Sequence, residues 1–125
     1  GDAGLLAGHR VLVVEDDFYL AHDTATALRS AGAVVQGPCS TLQAALQRLD
    51  GGGVDAAVID INLGQGAETG VIAALQRAGL PFVVVTGYDE GAASLEAGRF
   101  VRLQKPATPA GIARALARLV QAGTA

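Results

Sequence analysis

Acidic residues and a single lysine follow two separate apolar, β-rich runs of the sequence. Glu15, Asp16 and Asp17 end one run, and Lys105, the only lysine in the chain, ends another and is followed by Pro106. Carboxylate oxygens are the hard ligands that Mg²⁺ binds. An ammonium group facing such a cluster can neutralise a phosphoryl oxygen that the metal does not reach. The pattern predicts phosphate chemistry on a metal if the fold brings these residues together.

Composition favours one domain. The chain has 125 residues, 50% of them hydrophobic, and a net charge of −3, so it can bury a substantial core. Its arginines are scattered, and the basic stripe of a nucleic-acid-binding protein is missing. Cys39 is the only cysteine, which excludes an internal disulfide and fits a reducing compartment, so we expect the cytoplasm.

The sequence offers no targeting or membrane signal. No apolar run approaches the roughly 18 residues that a membrane span needs, and residues 1–8 lack the basic start and apolar stretch of a signal peptide. We expect residues 1–8 to be a flexible N-terminal tail and residues 9–121 to form the folded domain.

Short β-rich runs alternate with segments of helical periodicity. Strands are predicted at Arg10 to Val14, Ala33 to Gln36, Ala56 to Asp60, Phe82 to Thr86 and Phe100 to Gln104. Apolar residues recur at helical spacing between and after them: Phe18, Ala21, Ala25 and Leu28 in the first helix, Leu42, Ala45, Leu46 and Leu49 in the second, and Ile112, Ala115, Leu116 and Leu119 in the last. A weaker helix is predicted near Glu90 to Ala97.

The sequence predicts where several helices begin. Ser40 with Gln43 has the spacing of a capping box, and Thr108 followed by Pro109 predicts an N-cap with proline in the first turn. Asp17 is interpreted as a solvated or helix-capping acid, and Cys39 as a packing or loop residue.

Strands that alternate with helices predict right-handed crossovers and a parallel sheet covered on both faces. Such sheets bind ligands at the carboxyl ends of their strands. The acids after the first strand would therefore meet Asp60, Thr86 and Lys105, which end the third, fourth and fifth strands. Four separate segments deliver polar groups to one edge.

Four motifs carry a resemblance to a known family: residues Val11 to Asp17, Val58 to Asn62, Val84 to Tyr88 and Gln104 to Pro106. From about His9 to Val120 the chain resembles a response regulator receiver domain of bacterial two-component systems. The resemblance implies an α/β, flavodoxin-like fold, with a doubly wound five-stranded parallel sheet in the order 2-1-3-4-5 and five helices.

The resemblance also implies a reaction. Asp60 would accept a phosphoryl group from a phosphohistidine on a histidine kinase or a histidine phosphotransfer protein. Asp16, Asp60 and the backbone carbonyl of Asn62 would bind Mg²⁺, for which Mn²⁺ can substitute, and Glu15 would act through a metal-bound water.

Further groups would hold the phosphoryl oxygens. The resemblance assigns this role to Lys105, to the Thr86 hydroxyl and to the backbone N–H groups of Asn62 and Gly87. The domain would catalyse its own phosphorylation and slow dephosphorylation without being an enzyme for other substrates. A downstream protein partner is possible, and no nucleic acid or membrane partner is expected.

The chain departs from the family pattern in the switch region. Arg102 stands where many receivers have an aromatic residue, so the usual pairing of Thr86 with that ring cannot operate. We expect Arg102 to pair with Asp89 or Glu90 in one state, and Tyr88 to supply the moving ring. The loop after Asp60 is longer than usual, and the Lys105–Pro106 peptide is expected to be cis, as it is in the family.

Other classes of protein fit less well. An aspartate-nucleophile phosphatase needs an acid where this chain has Asn62. A flavodoxin-like nucleotide binder needs a glycine-rich phosphate loop after the first strand, where the acids would repel a phosphate. Within the receiver class, a stand-alone receiver and a module excised from a hybrid histidine kinase both remain open.

Overall fold

The structure is a computed structural model that describes residues 4–60, 68–86, 100–104 and 106–122. Its elements are β1 (Arg10–Val14), α1 (Phe18–Ser30), β2 (Val34–Cys39), α2 (Leu42–Asp50), β3 (Ala56–Asp60), α3 (Glu68–Ala78), β4 (Phe82–Thr86), β5 (Phe100–Gln104) and α4 (Pro109–Ala122). The helix expected near Glu90 to Ala97 lies outside the described residues.

The five strands form one parallel sheet in the order β2-β1-β3-β4-β5. This confirms the doubly wound α/β fold. Four of the strands have the predicted bounds. The nearly continuous apolar sequences of β1, β3 and β4 reflect burial on both faces, which is typical of parallel sheets. The edge strand β5 is only partly buried.

Strand β2 is longer than predicted, because it continues through Gly37 and Pro38 to Cys39. Gly37 has φ of +97°, and a Cβ there would lie 2.6 Å from the backbone nitrogen of Cys39. The pairing of β1 with β2 shifts register at this point. Gly37 therefore permits a bulge that a side chain would obstruct.

The longer strand moves the start of α2. Thr41, not Ser40, is the N-cap, and its hydroxyl accepts a hydrogen bond from the Ala44 nitrogen at 3.2 Å. The predicted Ser40 and Gln43 capping box is wrong by one residue. The predicted cap of the last helix is confirmed, because the Thr108 hydroxyl accepts a hydrogen bond from the Gly111 nitrogen at 3.0 Å.

Alternation along the strands divides the core into two layers. Val11, Val58 and Val83 face α1 and α4, whereas Leu12, Ile59 and Val84 face α2 and α3. The side-chain period of two in a strand sets this division. It also decides toward which layer the residues at the strand ends are directed.

Helix α1 presents a smaller apolar face than predicted. Ala21, Thr24, Ala25 and Leu28 are buried, but Phe18 is 74% exposed. The assignment of Phe18 to the core face was wrong, because Phe18 lies at an open hollow beside Asp16 and Ser40 and not in either core layer.

Residues 4–8 are packed against the domain, which corrects the prediction of a flexible tail over 1–8. Leu6 is fully buried in the layer between the sheet and α1 and α4. Its nitrogen donates a hydrogen bond to the Ala31 carbonyl at 2.8 Å. Burial of an apolar side chain of this size is favourable by roughly 1.5–3 kcal/mol, which offsets part of the conformational entropy lost in ordering the segment. Residues 1–3 lie outside the described residues.

Within the described ranges, no helix has the length and apolar character needed to cross a lipid bilayer.

Candidate functional site

Glu15 and Asp60 lie side by side at the carboxyl edge of the sheet. Val14 of β1 pairs with Ile59 of β3. Glu15 directly follows Val14 and Asp60 directly follows Ile59, so the two acids are neighbours across the two strands. Their exposed fractions are 7% for Glu15 and 6% for Asp60. Two carboxylates this deeply buried are costly unless a cation or hydrogen-bond donors compensate them.

Both acids line one cavity of about 430 Å³ between α1, α4 and the end of the sheet. We call it the Asp60 cavity. Side chains along a strand point alternately to the two faces of the sheet. Glu15 and Asp60 lie two residues after Val13 and Val58, whose side chains face α1 and α4, so the two acids point to the same side. Its other walls include Leu20, Thr24, Pro106 and Ile112.

Asp16 is exposed and lines a second hollow of about 360 Å³, between α1 and the connection from β2 to α2. We call it the Asp16 hollow; its walls also include Glu15, Phe18, His22, Arg29 and Ser40. Glu15 lines both spaces. The structure therefore brings Glu15 and Asp60 together and places Asp16 on the other side of Glu15.

Asp17 caps α1, as predicted. Its Oδ1 accepts hydrogen bonds from the backbone nitrogens of Tyr19 at 2.9 Å and Leu20 at 3.0 Å. The Asp17 nitrogen donates to Glu15 Oε1 at 3.2 Å. These bonds satisfy amides of the first turn that would otherwise lack partners, and they tie the start of α1 to an acid of the site.

Thr86 is buried at the end of β4, and its neighbour Val85 pairs with Asp60 of β3. Among the residues described, Val85 lines the Asp60 cavity and Thr86 does not. Thr86 lies two residues after Val84, whose side chain packs in the layer that faces α2 and α3.

Several predicted site residues lie outside the described residues. These are Asn62, Gly87, Tyr88 and Lys105, together with Asp89 and Glu90, the proposed partners of Arg102. The expected cis peptide at Lys105 and the loop from 61 to 67 lie there too. Pro106 and Ala107, which follow the lysine, do line the Asp60 cavity. Arg102 is exposed on the edge strand β5.

The donors present fit a magnesium site. Among the described residues, no three His, Cys, Asp or Glu side chains are grouped closely enough to form a metal cage. Mg²⁺ does not need one, since it commonly binds through one or two carboxylates, waters and phosphate oxygens. Glu15 and Asp60 in one cavity, with Asp16 beside them, supply that kind of set.

Sequence reasoning missed two residues of the site. Leu20 and Thr24 of α1 line the Asp60 cavity, and they are four residues apart, so they share a face of the helix. This spacing was a signal in the sequence, although Thr24 interrupts an apolar pattern and was not assigned to the inner face. Cys39 is buried as predicted, and burial raises the pKa of its thiol.

The fold and the site together define a class: a doubly wound parallel α/β domain with buried acids at the carboxyl edge of its sheet. The family model for the response regulator receiver domain matches residues 11–117. The chain belongs to the response regulator receiver domain family, which confirms the resemblance found in its motifs.

Several solved structures are similar to this chain over most of its length. A response regulator receiver protein from Sinorhizobium medicae is 25% identical, with 91% of this chain and 95% of that one covered and a TM-score of 0.78. SdrG from Sphingomonas melonis is 35% identical, with 90% and 96% covered and a TM-score of 0.63. The comparison with curated protein sequences gave no match.

One further neighbour bears on the chemistry. A response regulator protein from Burkholderia pseudomallei is 26% identical, with 94% of this chain and 73% of that one covered and a TM-score of 0.71. Its crystal structure contains a phosphorylated aspartic acid, a calcium ion and citrate.

Proposed function

We propose that Asp60 is the phosphoacceptor of a two-component or phosphorelay system. The observation that carries the proposal is the pair of buried carboxylates, Glu15 and Asp60, in one cavity at the carboxyl edge of a receiver-family sheet. The phosphorylated aspartic acid in the Burkholderia pseudomallei protein supports this chemistry by analogy.

The reaction balances without an added oxidant or reductant. An oxygen of the Asp60 carboxylate attacks phosphorus, and the phosphorus–nitrogen bond of a phosphohistidine breaks. The electron pair returns to the imidazole nitrogen, which takes up a proton. The product is an acyl phosphate on Asp60, and later attack by water releases it as phosphate.

Charge is the main obstacle to this transfer, because two carboxylates about 4 Å apart already repel by roughly 1 to 4 kcal/mol in wet surroundings. A bound Mg²⁺, or Mn²⁺ in its place, would supply the positive charge that lets the cavity accept a further anion. Asp60 and the Asn62 carbonyl would hold it directly, Asp16 would join them as a direct ligand by turning from the Asp16 hollow toward Asp60, and Glu15 would hold it through water.

The remaining groups would position the phosphoryl oxygens. We assign this role to the Lys105 ammonium, the Thr86 hydroxyl and the backbone N–H groups of Asn62 and Gly87. Positioned donors of this kind account for much of phosphoryl-transfer catalysis. Arg102 and Tyr88 remain our candidates for transmitting the change at Thr86.

The partner in this scheme is a histidine kinase or a histidine phosphotransfer protein in the cytoplasm. The domain is then a phosphoacceptor that promotes its own phosphorylation and slow dephosphorylation, not an enzyme for external substrates. The same chemistry serves a stand-alone receiver and one attached to a hybrid kinase. Phosphorylation would shift its conformation and so its affinity for a downstream protein.

Phosphotransfer profiling tests the proposal. Histidine kinases and phosphotransfer proteins are labelled with radioactive phosphate and mixed with the chain in the presence of MgCl₂. Wild type is expected to take up label, and Asp60→Asn, which keeps the size of the side chain but removes the nucleophile, is expected to take up none.

The matched control is Asp50→Asn, which alters an exposed acid at the end of α2. It should be labelled like wild type. Equal labelling of wild type and Asp60→Asn would refute the assignment of the phosphoacceptor.

A further inference from the structure

The Asp60 cavity is larger and more apolar than the proposed phosphoryl chemistry needs. Its volume is about 430 Å³, whereas protein interiors are close-packed and contain few voids larger than a water molecule. Most of the lining residues that the structure describes carry apolar side chains, among them Val85, Pro106 and Ile112. Because Mg²⁺ binds oxygen ligands, these apolar walls have no part in the reaction proposed above.

The cavity has a charged end and an apolar depth. Glu15 and Asp60, which are 7% and 6% exposed, line the end at the carboxyl edge of the sheet, which we call the acidic end. Val13 and Val58 lie two residues earlier in the same strands and also line the cavity. At roughly 3.3 Å per residue, the apolar wall therefore extends about 6–7 Å along the strands from the acidic end.

The cavity opens between α1 and the segment before α4. Of its lining residues, Leu20 is 46% exposed and Pro106 is exposed. Val13, Thr24 and Ile112 are buried deeper in the same cavity. A small molecule can therefore enter from solvent, place an apolar body against the buried wall and leave a polar head beside the acids.

Charge at the acidic end selects the head group. Clefts lined by one sign of charge concentrate ions of the opposite sign, and the attraction is stronger away from bulk water. Glu15 and Asp60 lie here with Asp16 beside them, and Lys105, the only lysine in the chain, can neutralise only one of the three. A cationic head is therefore favoured, and an anionic head would be repelled.

We propose that the Asp60 cavity binds a small organic ammonium ion with a compact apolar body, and that this ligand controls access to Asp60. The ammonium group would donate hydrogen bonds to the carboxylates of Glu15 and Asp60. The body, about as long as an aryl ring with two methylene groups, would pack against Val13 and Val58. The volume lies within the roughly 300–1,000 Å³ that small-molecule sites occupy.

The ligand and Mg²⁺ would compete, because both use the carboxylate oxygens of Asp60. Each must weaken the binding of the other by the same factor. A receiver occupied by the ligand would accept no phosphoryl group until the metal displaced the ligand. Binding of the ligand does not depend on the proposed function, whereas this effect on phosphorylation rests on it.

Four probes separate the contributions of the head and the body. Isotope-labelled wild type, without Mg²⁺ or phosphodonor, is titrated with phenethylammonium and followed by the chemical shifts of its amides. The analogues are phenethyl alcohol, which lacks the charge, hydrocinnamate, which reverses it, and ethylammonium, which lacks the ring. Phenethylammonium should give saturable shifts centred on Val13, Val58 and Ile112. The affinity for each analogue should be lower by about tenfold or more.

Two identical substitutions on one helix test where the ligand binds. Thr24→Leu enlarges a buried side chain that lines the cavity, and it should lower the affinity for phenethylammonium about tenfold or more. Thr26→Leu is the matched control, because Thr26 is exposed on the same helix and does not line the cavity. It should bind the probe within about twofold of wild type.

A third variant tests the charge and leaves the cavity open. Glu15→Gln keeps the size of the side chain and removes one charge from the acidic end. The preference for phenethylammonium over phenethyl alcohol should fall about tenfold. Circular dichroism checks that each variant is folded, and Glu15→Gln tests the inference even if Thr24→Leu does not fold.

Competition with the metal is measured in the same titration. MgCl₂ should raise the apparent Kd for phenethylammonium as its concentration rises. Phenethylammonium should slow the labelling of Asp60 by acetyl phosphate at low MgCl₂, and high MgCl₂ should restore the rate. Binding of the probe that MgCl₂ does not weaken would refute control of access to Asp60.

Several results would overturn the inference as a whole. Phenethylammonium could give no saturable shift at the cavity. Phenethyl alcohol or hydrocinnamate could bind as tightly as the ammonium, which would remove the role of the acids. Folded Thr24→Leu could bind like wild type, or the shifts could centre on the exposed rings of Phe18 and Tyr19, which would place the ligand elsewhere. Wild type that binds the probe but takes up no label from any donor would instead refute the proposed function.

Discussion

At the residue scale, a single substitution can test the proposed role of Thr86 in binding a phosphoryl oxygen. It is buried at the end of β4, and we assign its hydroxyl to a phosphoryl oxygen. Thr86→Ala should slow phosphorylation of Asp60 by about tenfold or more, the effect of losing one hydrogen bond to a charged group. The initial rate of labelling by acetyl phosphate with MgCl₂ measures it.

Thr86→Ser is the matched control, because it removes only the methyl group and keeps the hydroxyl. It should be labelled at nearly the rate of wild type. Equal rates for Thr86→Ala and wild type, with both proteins folded by circular dichroism, would remove Thr86 from the phosphate site.

At the element scale, the start of α1 depends on Asp17. Its carboxylate accepts hydrogen bonds from the backbone nitrogens of Tyr19 and Leu20. Asp17→Ala should lower the free energy of unfolding by about 1 kcal/mol, the usual cost of losing an N-cap. Urea unfolding at pH 7 measures this free energy.

Asp23→Ala removes an exposed acid from the same helix without removing a cap. It should unfold at a urea concentration close to that of wild type, since alanine is a good helix former. If Asp17→Ala were as stable as Asp23→Ala, the cap would contribute nothing to the fold.

A polar contact between Arg10 and Asp55 joins the starts of β1 and β3. Arg10 contacts the Asp55 carboxylate through Nε at 3.1 Å and Nη2 at 3.2 Å, and its backbone nitrogen donates to Oδ2 at 2.8 Å. The side-chain hydrogen bond from Arg10 holds the pKa of Asp55 below its usual value of 3.8. The contribution is small because both side chains are well exposed.

The lowered pKa of Asp55 determines how its contact with Arg10 affects stability as pH changes. The folded protein binds the Asp55 proton less tightly than the unfolded chain, so the contact stabilises above pH 3.8 and is lost as pH falls through the folded-state pKa. Asp55→Asn should unfold at a slightly lower temperature than wild type at pH 7. The difference should vanish at the most acidic pH at which both proteins stay folded; a constant difference would contradict the assignment.

Sequence patterns predicted the positions of the strands well, but they did not predict every strand end or the exposure of the first turn of α1. β1, β3 and β4 follow the prediction because burial on both faces demands nearly unbroken apolar runs. The edge strand β5 also has its predicted bounds, although it is only partly buried. The second strand was predicted to end at Gln36, whereas β2 continues through a bulge at Gly37 and Pro38 to Cys39. Periodicity placed Phe18 on the apolar face of α1, but it cannot show which turns of a helix other elements cover.

At the scale of the whole molecule, the site was more predictable in its location than in its shape. Parallel strands bring their carboxyl ends to one edge, so the meeting of Glu15 and Asp60 follows from the topology. That Asp16 faces a different space from Asp60 depends on how Glu15 and the first turn of α1 pack. Strand alternation gives Asp16 the opposite direction to Glu15, but it does not show which residues enclose the space that Asp16 faces.

The proposed reaction brings one phosphoryl group, one divalent cation and one acceptor side chain, Asp60, into a single cavity. The most direct test is to treat the protein with acetyl phosphate and locate the modification by peptide mass spectrometry. With MgCl₂ present, the phosphoryl group should be found on Asp60, and EDTA should abolish it. Modification of another residue, or equal modification of Asp60 in EDTA, would contradict metal-dependent phosphorylation of Asp60.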